Sequence, residues 1–188
     1  MKSILRITVI SLFAFLTGCV QSLQPIYTEH DLVADDSLIG SWDDKESNET
    51  WAFSKPGRLE YKLLQTDAEG NTDEFIVRLV KIESSLFLDI VPAKPTPTNT
   101  HLYQGRPVQM HTFAHIVRKS GAIEVSVLEM NWLKDLVAEN AVAISHEKIN
   151  GDIVLTSSPK ETQKFILEHL ATRGAFSQPT RLTRGKRK

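Results

Sequence analysis

The chain has 188 residues, 41% of them hydrophobic and 24% charged, with a formal net charge of -1. Such values exclude a disordered or fibrous chain and suit one globular domain; the near-neutral balance gives nucleic acid no electrostatic footing as a partner. A single cysteine, Cys19, excludes an intramolecular disulfide, a CxxC redox pair and a thiolate zinc cage.

At the N-terminus, Lys2 and Arg6 precede an uncharged apolar run from Ile7 to Leu16. This is the n-region and h-region order of a secretory signal, and a run of roughly 10 residues falls short of the about 20 that cross a bilayer as helix. Leu16-Thr17-Gly18-Cys19 follows directly and resembles the bacterial lipobox, in which small residues precede a cysteine that is lipidated and becomes residue one. The resemblance implies cleavage after Gly18, acyl chains on Cys19, and a membrane partner reached through that lipid. Removal of residues 1–18 takes away Lys2 and Arg6 and no acid, leaving 20 basic and 23 acidic side chains. Val20 stands where enteric lipoproteins kept at the inner membrane carry aspartate, so the likeness favours the periplasmic face of an outer membrane.

Residues 19–36 are polar and lack apolar periodicity, which predicts a tether between lipid and domain. The domain is expected over residues 37–174. Arg58 to Gln65 alternates, with Leu59, Tyr61 and Leu63 opposite Arg58, Glu60 and Lys62, the period of a half-buried strand. Further strands are predicted at Ile39–Asp43, Glu49–Ser54, Glu74–Ile82, Leu86–Val91, His111–Lys119, Ala122–Leu128, His146–Ile149 and Asp152–Thr156. Turn signals separate them, the strongest being Asn150-Gly151. Pro92 to Pro107 carries four prolines, cannot pair as a central strand, and predicts a surface loop.

Two helices are predicted. The first, at about 131–140, places Trp132, Leu133, Leu136 and Val137 on one face. The second, at about 159–172, opens on Ser158, Pro159 and Glu161, the spacing of a capping box. Residues 175–188 hold Arg181, Arg184, Lys186, Arg187 and Lys188 without an apolar face. They predict a flexible basic tail, either solvated or drawn to anionic head groups.

Gly40-Ser41-Trp42 on the first predicted strand resembles the Gly-x-Trp signature of lipocalin-like β-barrels, whose tryptophan plugs one barrel end. The fold class this implies is mainly β: a small antiparallel lipocalin-like barrel of about 8–9 strands with one short inserted helix and one C-terminal helix. Two further lipocalin marks, a Thr-Asp-Tyr turn and a late arginine packed on the tryptophan, are not matched; Thr66-Asp67 is followed by Ala68. The stretch Cys19 to Phe53, with Gln21-Ser22-Leu23-Gln24-Pro25-Ile26-Tyr27 and Glu49-Thr50-Trp51, also resembles a group of uncharacterised bacterial lipoproteins. That likeness implies the anchor and no activity.

The chain contains no Gly-x-Ser-x-Gly elbow, no Walker or dinucleotide glycine loop and no His-Glu-x-x-His. His111 and His115 lie on a predicted strand, where four residues span roughly 13 Å, too far to share one ion; His101 could approach either from the proline loop. Asp35-Asp36 and Asp43-Asp44 are adjacent, point to opposite strand faces and read as solvated turns. No catalytic, cofactor-binding or metal residue is assigned. Trp42, Trp51, Phe53, Tyr61 and Phe113 are expected to line the barrel, either as a packed core or around one small ligand. The expected function is that of a non-catalytic envelope lipoprotein binding a hydrophobic small molecule or an envelope protein. The alternative is an assembly adaptor with a filled barrel, acting through its surface.

Overall fold

The computed structural model of the protein describes residues 18–94 and 109–185. The predicted signal segment, most of the proline loop with His101, and Lys186–Lys188 lie outside the described residues. Seven strands run as an antiparallel meander: β3 (Gly40–Asp44), β4 (Thr50–Ser54), β5 (Tyr61–Thr66), β6 (Thr72–Ile82), β7 (Ser85–Pro92), β8 (His111–Lys119) and β9 (Ala122–Val127). The chain then leaves the meander and returns as β12 (Thr180–Arg184), which pairs antiparallel with both β9 and β3. With β8 bonded to β9, the eight strands close into a barrel.

Closure removes the bare edges that a meander would leave at β3 and β9. The excursion before β12 supplies α1 (Met130–Ala138), the hairpin β10 (His146–Ile149) and β11 (Asp152–Leu155), and α2 (Pro159–His169). Asn150 and Gly151, at the hairpin tip, both adopt positive φ, as a two-residue I′-type turn requires. At the head of α2, Ser158 and Glu161 form the predicted capping box.

Alternation sorts the barrel side chains into two cores. Trp42, Trp51, Phe53, Tyr61, Leu63 and Phe75 point inward and belong to the interior cluster. Phe87 and Phe113, one residue out of phase with inward Leu88 and Ala114, point outward into a second cluster with Ile26, Leu133, Leu155 and Ile166. Phe113 therefore packs under the helices and does not line the barrel, contrary to expectation. Because β7 is covered on both faces, five successive residues from Phe87 to Val91 are buried, and its sequence reads as an almost unbroken apolar run.

Two segments depart from the sequence reading. Residues 19–36 are no tether: β1 (Gln21–Ser22) lies between β8 and β11, and β2 (Leu32–Val33) pairs with β6. Val20 and Ile26 are buried, and the Leu23 N–H donates to the Leu155 carbonyl. Strands of two residues carry no readable period, and their apolar anchors pair only with groups distant in sequence. Residues 180–184 form no flexible tail, because β12 completes the barrel. A single buried apolar side chain, Leu182, between Arg181 and Arg184 hides that strand among basic residues.

Candidate functional site

The two barrel ends differ. At the closed end, the Trp42 indole N–H donates to the Leu38 carbonyl at 2.8 Å. The Arg184 guanidinium lies 4.5 Å above the Trp42 ring and donates to the Ser37 carbonyl. Gly40 makes room for this stack: its φ is +122, in a region that disfavours side chains, and a Cβ there would stand 3.4 Å from Arg184 Nη1. An arginine packed on the tryptophan is thus present, in a segment that the sequence presented as tail.

Tyr61 lies deep in the same half of the barrel, and its hydroxyl accepts from the Asp35 N–H at 2.7 Å. The Asp35 carboxylate pairs with Arg118. Burial raises that carboxyl, but the bonds from Ser37 and the Arg118 charge outweigh it and hold Asp35 below the usual carboxylate range. Beside the Trp42 plug is a recess of about 250 Å³, open to solvent, with Arg118, Lys119 and Arg184 on its wall.

The open end contains a small apolar cavity lined by Trp51, Leu63, Phe75, Ile90, Val125 and Cys19. Its free volume is about 40 Å³, room for a few waters and far below the roughly 300 Å³ at which sites for small organic ligands begin. Trp51, Phe53 and Tyr61 fill the adjoining space. Cys19 is buried at this mouth, and burial pushes its thiol up to about 12, with the Glu129 charge adding in the same direction. The thiolate that would act as nucleophile is therefore suppressed at neutral pH. The main chain around Cys19 is fixed on both sides: Val20 N–H donates to Leu128, and Met130 N–H donates to the Gly18 carbonyl.

Outside the barrel, under the N-terminal segment, sits a buried carboxylate that sequence inspection passed over. Asp89 on β7 is 1% exposed. One of its oxygens accepts from the Ile26 N–H at 2.9 Å and the other lies 2.7 Å from His111 Nδ1. A lone aspartate inside an apolar strand, Leu88-Asp89-Ile90, was the available signal. An oriented histidine is half of an acid–base arrangement, yet the hydroxyl beside it, Ser22 on β1, donates to the Gln24 carbonyl. Geometry here serves to fasten residues 22–26 to the barrel.

The other histidines do not converge on His111. His115 is on the same outward face of β8, but its ring packs between Phe87 and Phe176, at centroid distances of 5.2 and 6.3 Å. Among the described residues no group of three or more His, Cys, Asp or Glu side chains is placed to hold a metal ion. Asp44, expected in solvent, is buried and accepts from Ser47 Oγ and the Glu46 N–H, closing the β3–β4 turn. No helix among the described residues is long and apolar enough to cross a membrane. Comparison with protein-family models, with curated proteins and with solved structures finds no match.

Proposed function

We propose that the chain is a non-catalytic lipoprotein of a bacterial envelope, held at the membrane by lipid on Cys19 and acting on an envelope partner through the outer surface of its barrel. The observation that carries the surface reading is the filled interior: about 40 Å³ remain at the open end, less than one organic ligand of ordinary size requires. The address rests on the charged start, the short apolar run and Leu16-Thr17-Gly18-Cys19. Val20 in place of aspartate supports the outer membrane. The stack of Arg184 on Trp42, with Gly40 beneath it, supports a lipocalin-like assignment, since it supplies the arginine that the sequence reading did not find.

Labelled palmitate fed to a bacterial host producing the full chain tests the anchor. Incorporation that disappears in Cys19→Ala is the expected outcome; equal labelling of both proteins overturns it. Native mass spectrometry of the domain from residue 20 onward tests the filled barrel, and an empty protein is expected. A second reading, carriage of one small hydrophobic molecule, is favoured by the apolar lining of the open-end cavity. A co-purifying lipid would establish it in place of the first.

A further inference from the structure

Resting on the lipid-anchor reading above, we infer that the open end of the barrel is seated directly against the bilayer, and that the surface it fits is zwitterionic. Lipoproteins with a free N-terminal segment can stand off from the membrane by the length of that segment. Here the slack is absent. In the chain cleaved after Gly18, the Val20 N–H still donates to the Leu128 carbonyl directly beyond Cys19, and Gln21–Ser22 pairs with two strands at once. Ile26 N–H is then fastened to Asp89, and Gln163 on α2 donates to the Ile26 carbonyl at 2.7 Å.

Lipid on the Cys19 sulfur has to leave through the mouth that Cys19 lines with Trp51, Thr112, Ser177 and Thr180. Whatever bilayer receives it lies across that mouth. The β3–β4 and β5–β6 turns border the same end together with the chain leaving β7, where the Ala93 N–H donates to the Glu74 carbonyl; over residues 45–49, 67–73 and 93–94 the described rim carries Glu46, Glu49, Asp67, Glu69 and Asp73 against Lys45 and Lys94. An anionic lipid surface would repel this rim over about 8–10 Å at ordinary ionic strength, whereas zwitterionic head groups would not.

The same geometry turns the other end outward. From Thr180, at the mouth, β12 climbs about 13 Å to Arg184 on the Trp42 plug. Arg184 and Gly185 thus lie on the side facing away from the anchoring bilayer.

Once Cys19 carries lipid, an introduced cysteine is the only thiol, so environment-sensitive fluorophores can be placed singly. We would use Glu46→Cys and Ala68→Cys at the open end, and Arg58→Cys and Ser120→Cys at the closed end, all at exposed positions. The lipidated full-length protein is reconstituted on phosphatidylcholine vesicles whose head groups bear a nitroxide quencher. Fluorescence loss at residues 46 and 68, with residues 58 and 120 unchanged, is expected. That loss should shrink when phosphatidylglycerol replaces part of the phosphatidylcholine, and return with added salt.

A lipidated protein, verified by mass, with no loss at any of the four positions would overturn the seating and mean that residues 19–23 pull free as a tether. Greater loss at residues 58 and 120 would overturn it by reversing the orientation. Unchanged or larger loss on phosphatidylglycerol would overturn the zwitterionic preference. A mass without lipid removes the anchor reading itself, and this inference with it.

Discussion

Asp89 shows how much one side chain can carry in this molecule. Its carboxylate is out of water and holds the Ile26 N–H and His111 together. Replacement by alanine leaves a buried amide without an acceptor and detaches the N-terminal segment, so a loss of roughly 3 kcal/mol is expected. Asp89→Asn keeps an acceptor oxygen for Ile26 and should lose clearly less. Urea unfolding of the two variants checks the order; equal losses would mean that charge, not the hydrogen bond to Ile26, is what matters. Cys19 makes a second residue-scale prediction, in protein lacking the lipid. A thiol raised to about 12 and buried should react with iodoacetamide slowly at pH 8 and rapidly once denaturant exposes it. Equal rates in both states would contradict the buried seat. Arg184 makes the third. Its alanine variant uncovers one face of Trp42 and drops the bond to Ser37, at about 1 kcal/mol, with a red-shifted emission in a protein retaining Trp42 as its one tryptophan. Arg184→Lys should recover little of it, because an ammonium cannot lie flat on the indole.

Element by element, the barrel divides into strands that announce themselves and strands that do not. Sequence reading locates β3 to β11 and both helices to within a few residues, because each is long enough to show a period or is bounded by Gly, Asn or Pro. Asn150-Gly151 and the Ser158 capping box were legible for local reasons, and both are where the sequence put them. By contrast, β1, β2 and β12 owe their existence to partners far along the chain: β12 meets β3 across about 140 residues, as Thr183 Oγ1 donating to the Asp43 carbonyl illustrates. No local pattern encodes such a contact. Of the residues expected to line the interior, Trp42, Trp51, Phe53 and Tyr61 lie there, and Phe113 misses because alternation fixes that two faces exist but not which one turns inward. Since β12 closes the barrel, ending the chain after Pro179 should abolish cooperative thermal unfolding and drive aggregation through the exposed edges of β3 and β9. Removal of Lys186–Lys188 alone should leave the melting temperature unchanged. A soluble, cooperatively melting protein that ends at Pro179 would show that closure is dispensable.

For the whole molecule, the shifted groups that titrate below neutral pH all push stability the same way. His115, set between Phe87 and Phe176 on the face under the second core, is held below its ordinary value of 6.5 by burial. The unfolded chain therefore takes up that proton first as pH falls, and folding stability begins to drop below about 6.5. Asp31 adds a second stage. Partial burial raises its carboxyl, but bonds from Thr28 and from Gln163 outweigh that and hold it below its usual value of 3.8. Asp35, held low by Ser37 and Arg118, behaves alike. Stability from these two carboxylates is fully present above the unfolded carboxyl range and disappears as pH falls through their lowered values. Denaturant midpoints measured from pH 8 to pH 3 should therefore decline in two steps, the first setting in below about pH 6.5. His115→Phe, which keeps a ring between Phe87 and Phe176, should flatten the first step and leave the second. If the first step survives that substitution, another group governs it. Asp31 bonds to Gln163 of α2, and Asp35 to Arg118 at the closed end, so the second step loosens two attachments of the N-terminal segment at once. An acid-treated protein should accordingly release residues 19–36 to proteases before the barrel itself is cut.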